Sequence, residues 1–140
     1  MKVTTPKLIR WAGLSAVVAG IIFTAIQPTH PSINTSTFIL ITSFKTSISI
    51  FGLLGITGLY ARQVEETGWQ GLAGYLLLTI YYAVQMCISF IEPTVLPLLT
   101  TVAPTFVESM LQLSSGVGAP TNLGSLATIY SFASILYVLG

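Results

Sequence analysis

One residue in this sequence has both the charge and the setting to do chemistry: Lys45, inside the apolar run Phe38 to Tyr60. An ionisable group in a segment of that character costs about 2.5–3.5 kcal/mol on insertion scales, so it is a functional-site candidate by default. Its surroundings are polar as well, with Thr42, Ser43, Thr46, Ser47 and Ser49 within one helical turn or so. Thr42, Lys45, Thr46 and Ser49 share one helical face by three- and four-residue spacing, and Gly52 and Ile56 extend it. Such a face must point into protein or a wet cavity. Two readings fit. In the first, Lys45 holds an anionic or carbonyl group in a small pocket that Thr42, Ser49, Gln85 and Glu92 help to line. In the second, Lys45 reaches up to pair with Glu92 while the hydroxyls bond back to their own helix. Under the second reading Lys45→Met is neutral, provided that Glu92 still reaches water.

The remaining reactive residue types point to no further site. His30 is the single histidine and stands between Pro28 and Pro31. Imidazole is a common metal or tetrapyrrole ligand, but with no second ligand near it in sequence His30 reads as an interfacial residue. Cys87 is the single cysteine, so no disulfide and no Cys/His metal set can form within the chain. With Met86 it reads as core. The chain has no aspartate, which leaves no Ser/His/Asp arrangement, and neither an H-E-x-x-H pair nor a glycine-rich phosphate loop occurs. No cofactor and no metal are therefore expected. The five basic residues form no run, which excludes a nucleic-acid footprint.

The elements that must position Lys45 follow from composition. Only 6% of the residues are charged and 53% are hydrophobic, whereas a soluble domain carries about a quarter charged residues. A spanning helix needs about 20 mostly apolar residues, and four segments approach that length: 8–26, 38–60, 69–91 and 123–140. All seven prolines fall outside them, as uninterrupted helices in lipid require. Lys2, Lys7 and Arg10 precede the first segment in the charge order of a signal peptide. The apolar run is too long for one, however, and lacks a small-x-small cleavage site, so it is expected to be retained.

Orientation follows from Lys and Arg in the flanks. Lys2, Lys7, Arg10 and Arg62 fall on one side of an even number of crossings, while loops 27–37 and 92–122 contain none. The expectation is a multi-pass protein of the inner (plasma) membrane with its N-terminus in the cytoplasm. Trp11, Tyr60 and Trp69 fit the interfacial aromatic belt.

Residues 61–68 are short enough to pack the second and third segments as an antiparallel hairpin. By rise per residue, Lys45 and Gln85 then lie level, about 10 and 9 Å below the outer boundary, with Glu92 just above. Within the loop 92–122, Phe106, Val107, Met110, Leu111 and Leu113 fall on one side of a helical wheel and Glu108, Ser109 and Gln112 on the other. This predicts a short amphipathic helix over 104–113, begun by Pro104, lying on the outer surface or capping the bundle. A flexible linker over 114–120 follows, and Thr121 or Asn122 caps the fourth segment. Small residues at Ala12, Ala16 and Gly20, and at Gly52, Gly55 and Gly58, allow close helix approach, inside this bundle or against another membrane subunit. The fourth segment stops at Leu139-Gly140 without a polar flank, which suggests a chain that continues.

The stretch Leu54-Gly55-Ile56-Thr57-Gly58-Leu59-Tyr60-Ala61-Arg62-Gln63, followed by Thr67-Gly68-Trp69-Gln70-Gly71-Leu72, resembles a segment of uncharacterised small bacterial membrane proteins, as does Arg10-Trp11-Ala12-Gly13. The resemblance implies a bacterial multi-span protein and carries no activity. The expected fold is all-α, a membrane four-helix bundle with a short amphipathic outer helix. Its expected function is that of a non-catalytic scaffold or accessory subunit whose partners are the lipid bilayer and other membrane subunits. The alternative is a small transporter or lipid- or quinone-binding protein using the Lys45 pocket.

Overall fold

The computed structural model describes all residues except 1–3, 27, 30, 31, 34, 117, 119 and 120. His30 therefore lies outside the described residues, as does part of the 114–120 linker. The described residues are helical with no strand: α1 (Thr5–Ile26), α2 (Ser36–Thr94), α3 (Leu96–Leu99), α4 (Pro104–Ser114) and α5 (Ser125–Leu139). Two of these, α1 and α2, are long and apolar enough to cross a membrane.

α2 is two helical arms joined at Gly68, whose φ of 55° and ψ of −142° are not helical. The eight-residue turn expected over 61–68 is thus largely helix, with the reversal concentrated at one residue. Glycine is required there because this region of backbone space is essentially closed to residues with a Cβ. The arms fold back antiparallel. Tyr60 stacks on Tyr75 with centroids 4.6 Å apart, Gly52 faces Tyr82 and Lys45 meets Glu92, each pair centred near residue 68. Thr35 caps the N-terminus of α2, its hydroxyl accepting from the Phe38 N–H at 3.1 Å, which satisfies one of the unpaired donors of a helix start.

α1 lies against the first arm. A Cβ built on Gly55 would come within 2.7 Å of the Ala16 Cβ, and one built on Gly58 would collide with Ala12. Of the expected small-residue positions, Ala12, Ala16, Gly55 and Gly58 therefore meet each other within this chain, whereas Gly52 faces Tyr82 and Gly20 has open space around its Cα. α5 lies against the second arm through Tyr137 on Tyr81 and Gly140 on Leu78. It is 15 residues long, which rises about 22 Å and is shorter than the expected 123–140 segment. Its N-cap is Gly124 and not Thr121 or Asn122. The Asn122 side chain instead accepts from the Gly124 N–H at 2.8 Å, a local turn that uses up the capping oxygen.

At the Lys45 end, α3 and α4 close over the bundle. Leu96, Val107, Met110 and Leu123 form a buried cluster, with Ile33, Phe106, Leu126 and Tyr130 packed around it. Pro104 begins α4 as expected. Ser109, however, is fully buried, where the helical wheel put it on the polar side. It sits at the margin of the apolar arc, and α4 is covered over more of its circumference than an interfacial helix would be, because α3 and α5 both reach it. Pro93 lies inside α2, one residue before its end, where only the last turn loses a backbone bond.

Candidate functional site

The site forms where the free ends of the two arms meet. On the second arm, Gln85, Ile88, Ser89 and Glu92 recur at three- and four-residue spacing and so share one face. Ile88, Ser89 and Glu92 are buried. On the first arm, Thr42, Ser49 and Gly52 are buried, and Lys45, Thr46 and Ile56 are half-buried along the same face. The hairpin turns these two faces toward each other. Met86 and Cys87 fall on the opposite side of the second arm and are exposed, which corrects the expectation that they are core. The interior face is claimed by the residues three and four positions from Glu92.

Lys45 Nζ donates to Glu92 Oε2 at 2.8 Å, a charge-assisted hydrogen bond of ordinary short length. The two side chains differ in setting: Lys45 is 39% exposed and Glu92 6%. Desolvation of a carboxylate is expensive unless a cation compensates it, so Glu92 depends on Lys45 more than Lys45 depends on Glu92. Gln85, which rise per residue places level with Lys45, instead donates from Nε2 to the Ser89 hydroxyl at 3.3 Å.

Several hydroxyls around Lys45 are bonded to their own helix. Thr42 donates to the Phe38 carbonyl at 2.6 Å, Ser43 to that of Ile39 at 2.7 Å, and Ser49 to that of Lys45 at 3.3 Å. For the buried Thr42 and Ser49 these bonds satisfy the hydroxyl without reaching across the interface. Two buried hydroxyls on α4 and α5 are different. Tyr130 on α5 lies within Coulombic range of Glu92, and its hydroxyl and that of Ser109 on α4 are both buried without a hydrogen-bond partner. Ser89 could have been found from its spacing to Gln85 and Glu92, whereas Tyr130 reaches the site only through the packing of α5 and was not legible as part of it.

The five candidate residues thus come together in part. Lys45 and Glu92 are bonded, Thr42 and Ser49 stand on the same face of the first arm, and Gln85 lies one turn from Glu92 and bonds elsewhere. Two shallow surface concavities are lined by α1 residues, one by Val17, Gly20, Ile21, Thr24 and Ala25 and the other by Lys7, Arg10, Trp11 and Leu14. Neither touches Lys45. Among the described residues no group of His, Cys, Asp or Glu side chains is arranged to hold a metal ion. No protein-family model matches the chain, and no curated protein or solved structure matches it, so the resemblance carried by residues 54–63 and 67–72 finds no counterpart there.

Proposed function

We propose that this chain is a non-catalytic integral membrane protein, a scaffold or accessory subunit built as four membrane-crossing segments with its N-terminus in the cytoplasm. The Lys45–Glu92 pair is the observation that carries this reading. Proton transfer or nucleophilic work needs a positioned group free to react. The one ionisable residue deep in the apolar arms is engaged by a buried carboxylate, and the Thr42, Ser43 and Ser49 hydroxyls around it are engaged by their own helix.

The membrane setting is supported by an inverted distribution of apolar side chains. Among the described residues, nine hydrophobic side chains are buried while 28 large ones are exposed, a ratio that water would not tolerate and lipid favours. α1 and each arm of α2 supply a crossing. α5 is short of the roughly 30 Å of hydrocarbon, a mismatch that local thinning of the bilayer accommodates. In this arrangement Arg62 and the start of α1 share the cytoplasmic side, with Trp11 and Trp69, both strongly exposed, at the interface.

Thiol labelling tests the topology. Cys87 is exposed on the second arm and must first be replaced by alanine. Cysteines introduced at Ser32 and Ser115 should then react with an impermeant reagent in intact cells, and one at Thr67 should not. The reverse pattern overturns the orientation. Extraction in mild detergent followed by mass spectrometry of co-migrating chains tests the accessory role, since a scaffold should carry defined membrane partners. Purification without any stoichiometric partner counts against it.

A second reading, a small transporter or a lipid- or quinone-binding protein with its site at Lys45, is favoured by one observation. The orphaned hydroxyl of Tyr130 would be satisfied by a polar ligand group held beside Glu92, because buried polar groups are rarely left unpaired. Loss of a co-purifying small molecule from Lys45→Met, with folding retained, would select this reading over the first.

A further inference from the structure

Four side chains near the start of α1 gather on the face turned away from α2. Lys7, Arg10, Trp11 and Leu14 line one shallow concavity, at the i, i+3, i+4, i+7 spacing that puts them on one side of a helix. The face packed on α2 is that of Ala12 and Ala16, roughly opposite. Among the described residues the ion pair is Lys45–Glu92 alone, so neither Lys7 nor Arg10 is neutralised by a carboxylate. Trp11 is 68% exposed, and below it Leu14, Val17 and Ile21 continue an exposed apolar strip. The strip leads into the second concavity, lined by Val17, Gly20, Ile21, Thr24 and Ala25.

We infer that this strip binds an anionic phospholipid of the leaflet in which α1 begins. The inference rests on the proposal that α1 crosses a membrane. The phosphate sits between Lys7 and Arg10, where the guanidinium offers paired donors and the ammonium a mobile point charge. The Trp11 indole lies at the level of the glycerol, as amphipathic rings do at membrane interfaces. An acyl chain runs along Leu14, Val17 and Ile21. From Trp11 to Ile21 the helix rises about 15 Å, half of the roughly 30 Å hydrocarbon core, so the strip matches one leaflet. A free phosphate would use the two cations and gain nothing from the apolar strip beneath them, which is why a lipid is the better occupant. Zwitterionic lipids fill the same strip without net charge for the cations. Each basic residue near an anionic surface contributes roughly fivefold in affinity, so the pair should favour an anionic lipid by about 20-fold.

Quenching of Trp11 by brominated lipid tests this directly. The protein has two tryptophans, so Trp69→Phe leaves Trp11 as the sole reporter. In phosphatidylcholine vesicles containing a minority of phosphatidylglycerol with brominated chains, Trp11 should be quenched well beyond the mole fraction of the brominated lipid. In the converse mixture, with brominated phosphatidylcholine, it should be quenched less. Combining Lys7→Ala with Arg10→Ala should lower the preference about 20-fold and bring both quenching curves to the mole fraction. Exchanging the two as Lys7→Arg and Arg10→Lys should keep the preference. Equal quenching by both lipids in protein that floats with the vesicles overturns the inference alone. A preference abolished by millimolar inorganic phosphate identifies a free-anion site and also overturns it. Protein that fails to float with vesicles overturns the membrane reading and takes this inference with it.

Discussion

The two ends of the arm pair are held by opposite means. Toward Gly68 α1 is seated by small apolar contacts, Ala12 and Ala16 against Gly58 and Gly55, and the arms are joined by a reversal at one glycine with Tyr60 stacked on Tyr75. At the free ends the contacts are polar and capped: Lys45 bonded to Glu92, and α3 and α4 folded over the leucine and methionine cluster. In the proposed membrane setting an apolar side chain gains nothing from burial against another helix, so association depends on close backbone approach or on polar bonds. The first device tolerates no added volume, and the second tolerates no unpaired charge. Substitutions at each should therefore fail for different reasons.

The largest effect is expected at the α1 seam. A side chain at Gly55 would press on the Ala16 backbone, with Cβ to Cα and Cβ to N separations of 3.0 and 3.1 Å, and backbone cannot move aside as a flexible side-chain tip can. Gly55→Leu should destabilise the fold by about 3 kcal/mol, the upper range for overpacking. Denaturation in mixed micelles measures it. Gly20→Leu, at a position with open space, should change stability by less than about 0.5 kcal/mol. Equal losses at both positions would mean that α1 does not pack through this seam.

At the other end, Lys45→Met should cost about 2 kcal/mol, below the 3–5 kcal/mol usual for a broken buried pair because Lys45 is more than a third exposed. This departs from the neutral outcome that holds if Glu92 reaches water, since at 6% exposure it does not. Glu92→Gln should cost less, about 1 kcal/mol, because the lysine left behind can turn to the interface. Combining Lys45→Met with Glu92→Leu should recover most of the loss, as replacing both members of a buried pair by apolar groups commonly does. A double-mutant cycle on the same denaturation measurement reads the coupling. Independent, additive losses would show that the two residues do not act as a pair.

Of the three regions, the cap should lose least from its most disruptive substitution. Met110 is buried in the cluster and Leu111 half-buried beside it. Replacing Met110 by serine should loosen α4 by about 1.5 kcal/mol and raise protease cleavage after Ser114 about tenfold. Leu111→Ser should raise it less. Unchanged cleavage for Met110→Ser would mean that α4 is not docked through that residue.

Read from sequence, the helical class, the hairpin near Gly68, the α4 helix beginning at Pro104 and the approach of Lys45 to Glu92 or Gln85 were all accessible. Each depends on a local signal: an apolar run, a short connection, a proline at a first turn, or rise per residue along two linked helices. Spacing also put Thr42, Lys45 and Ser49 on one face, because helical period alone decides that. What spacing could not decide was which partner each face would find. A helical wheel puts Ser109 outward because it knows one helix, whereas its burial comes from α3 and α5 closing on α4. Hydrophobicity puts Met86 and Cys87 in the core because it marks the interior in water, but in an apolar arm the hydrophobic side is no guide and Gln85, Ser89 and Glu92 mark the interior instead. Glu92 as preferred partner over Gln85, Tyr130 beside the pair, and the single-residue reversal at Gly68 are likewise tertiary facts. They depend on the rotation of one helix against another, which in a chain this apolar is fixed by where two glycines and one charge pair can fit.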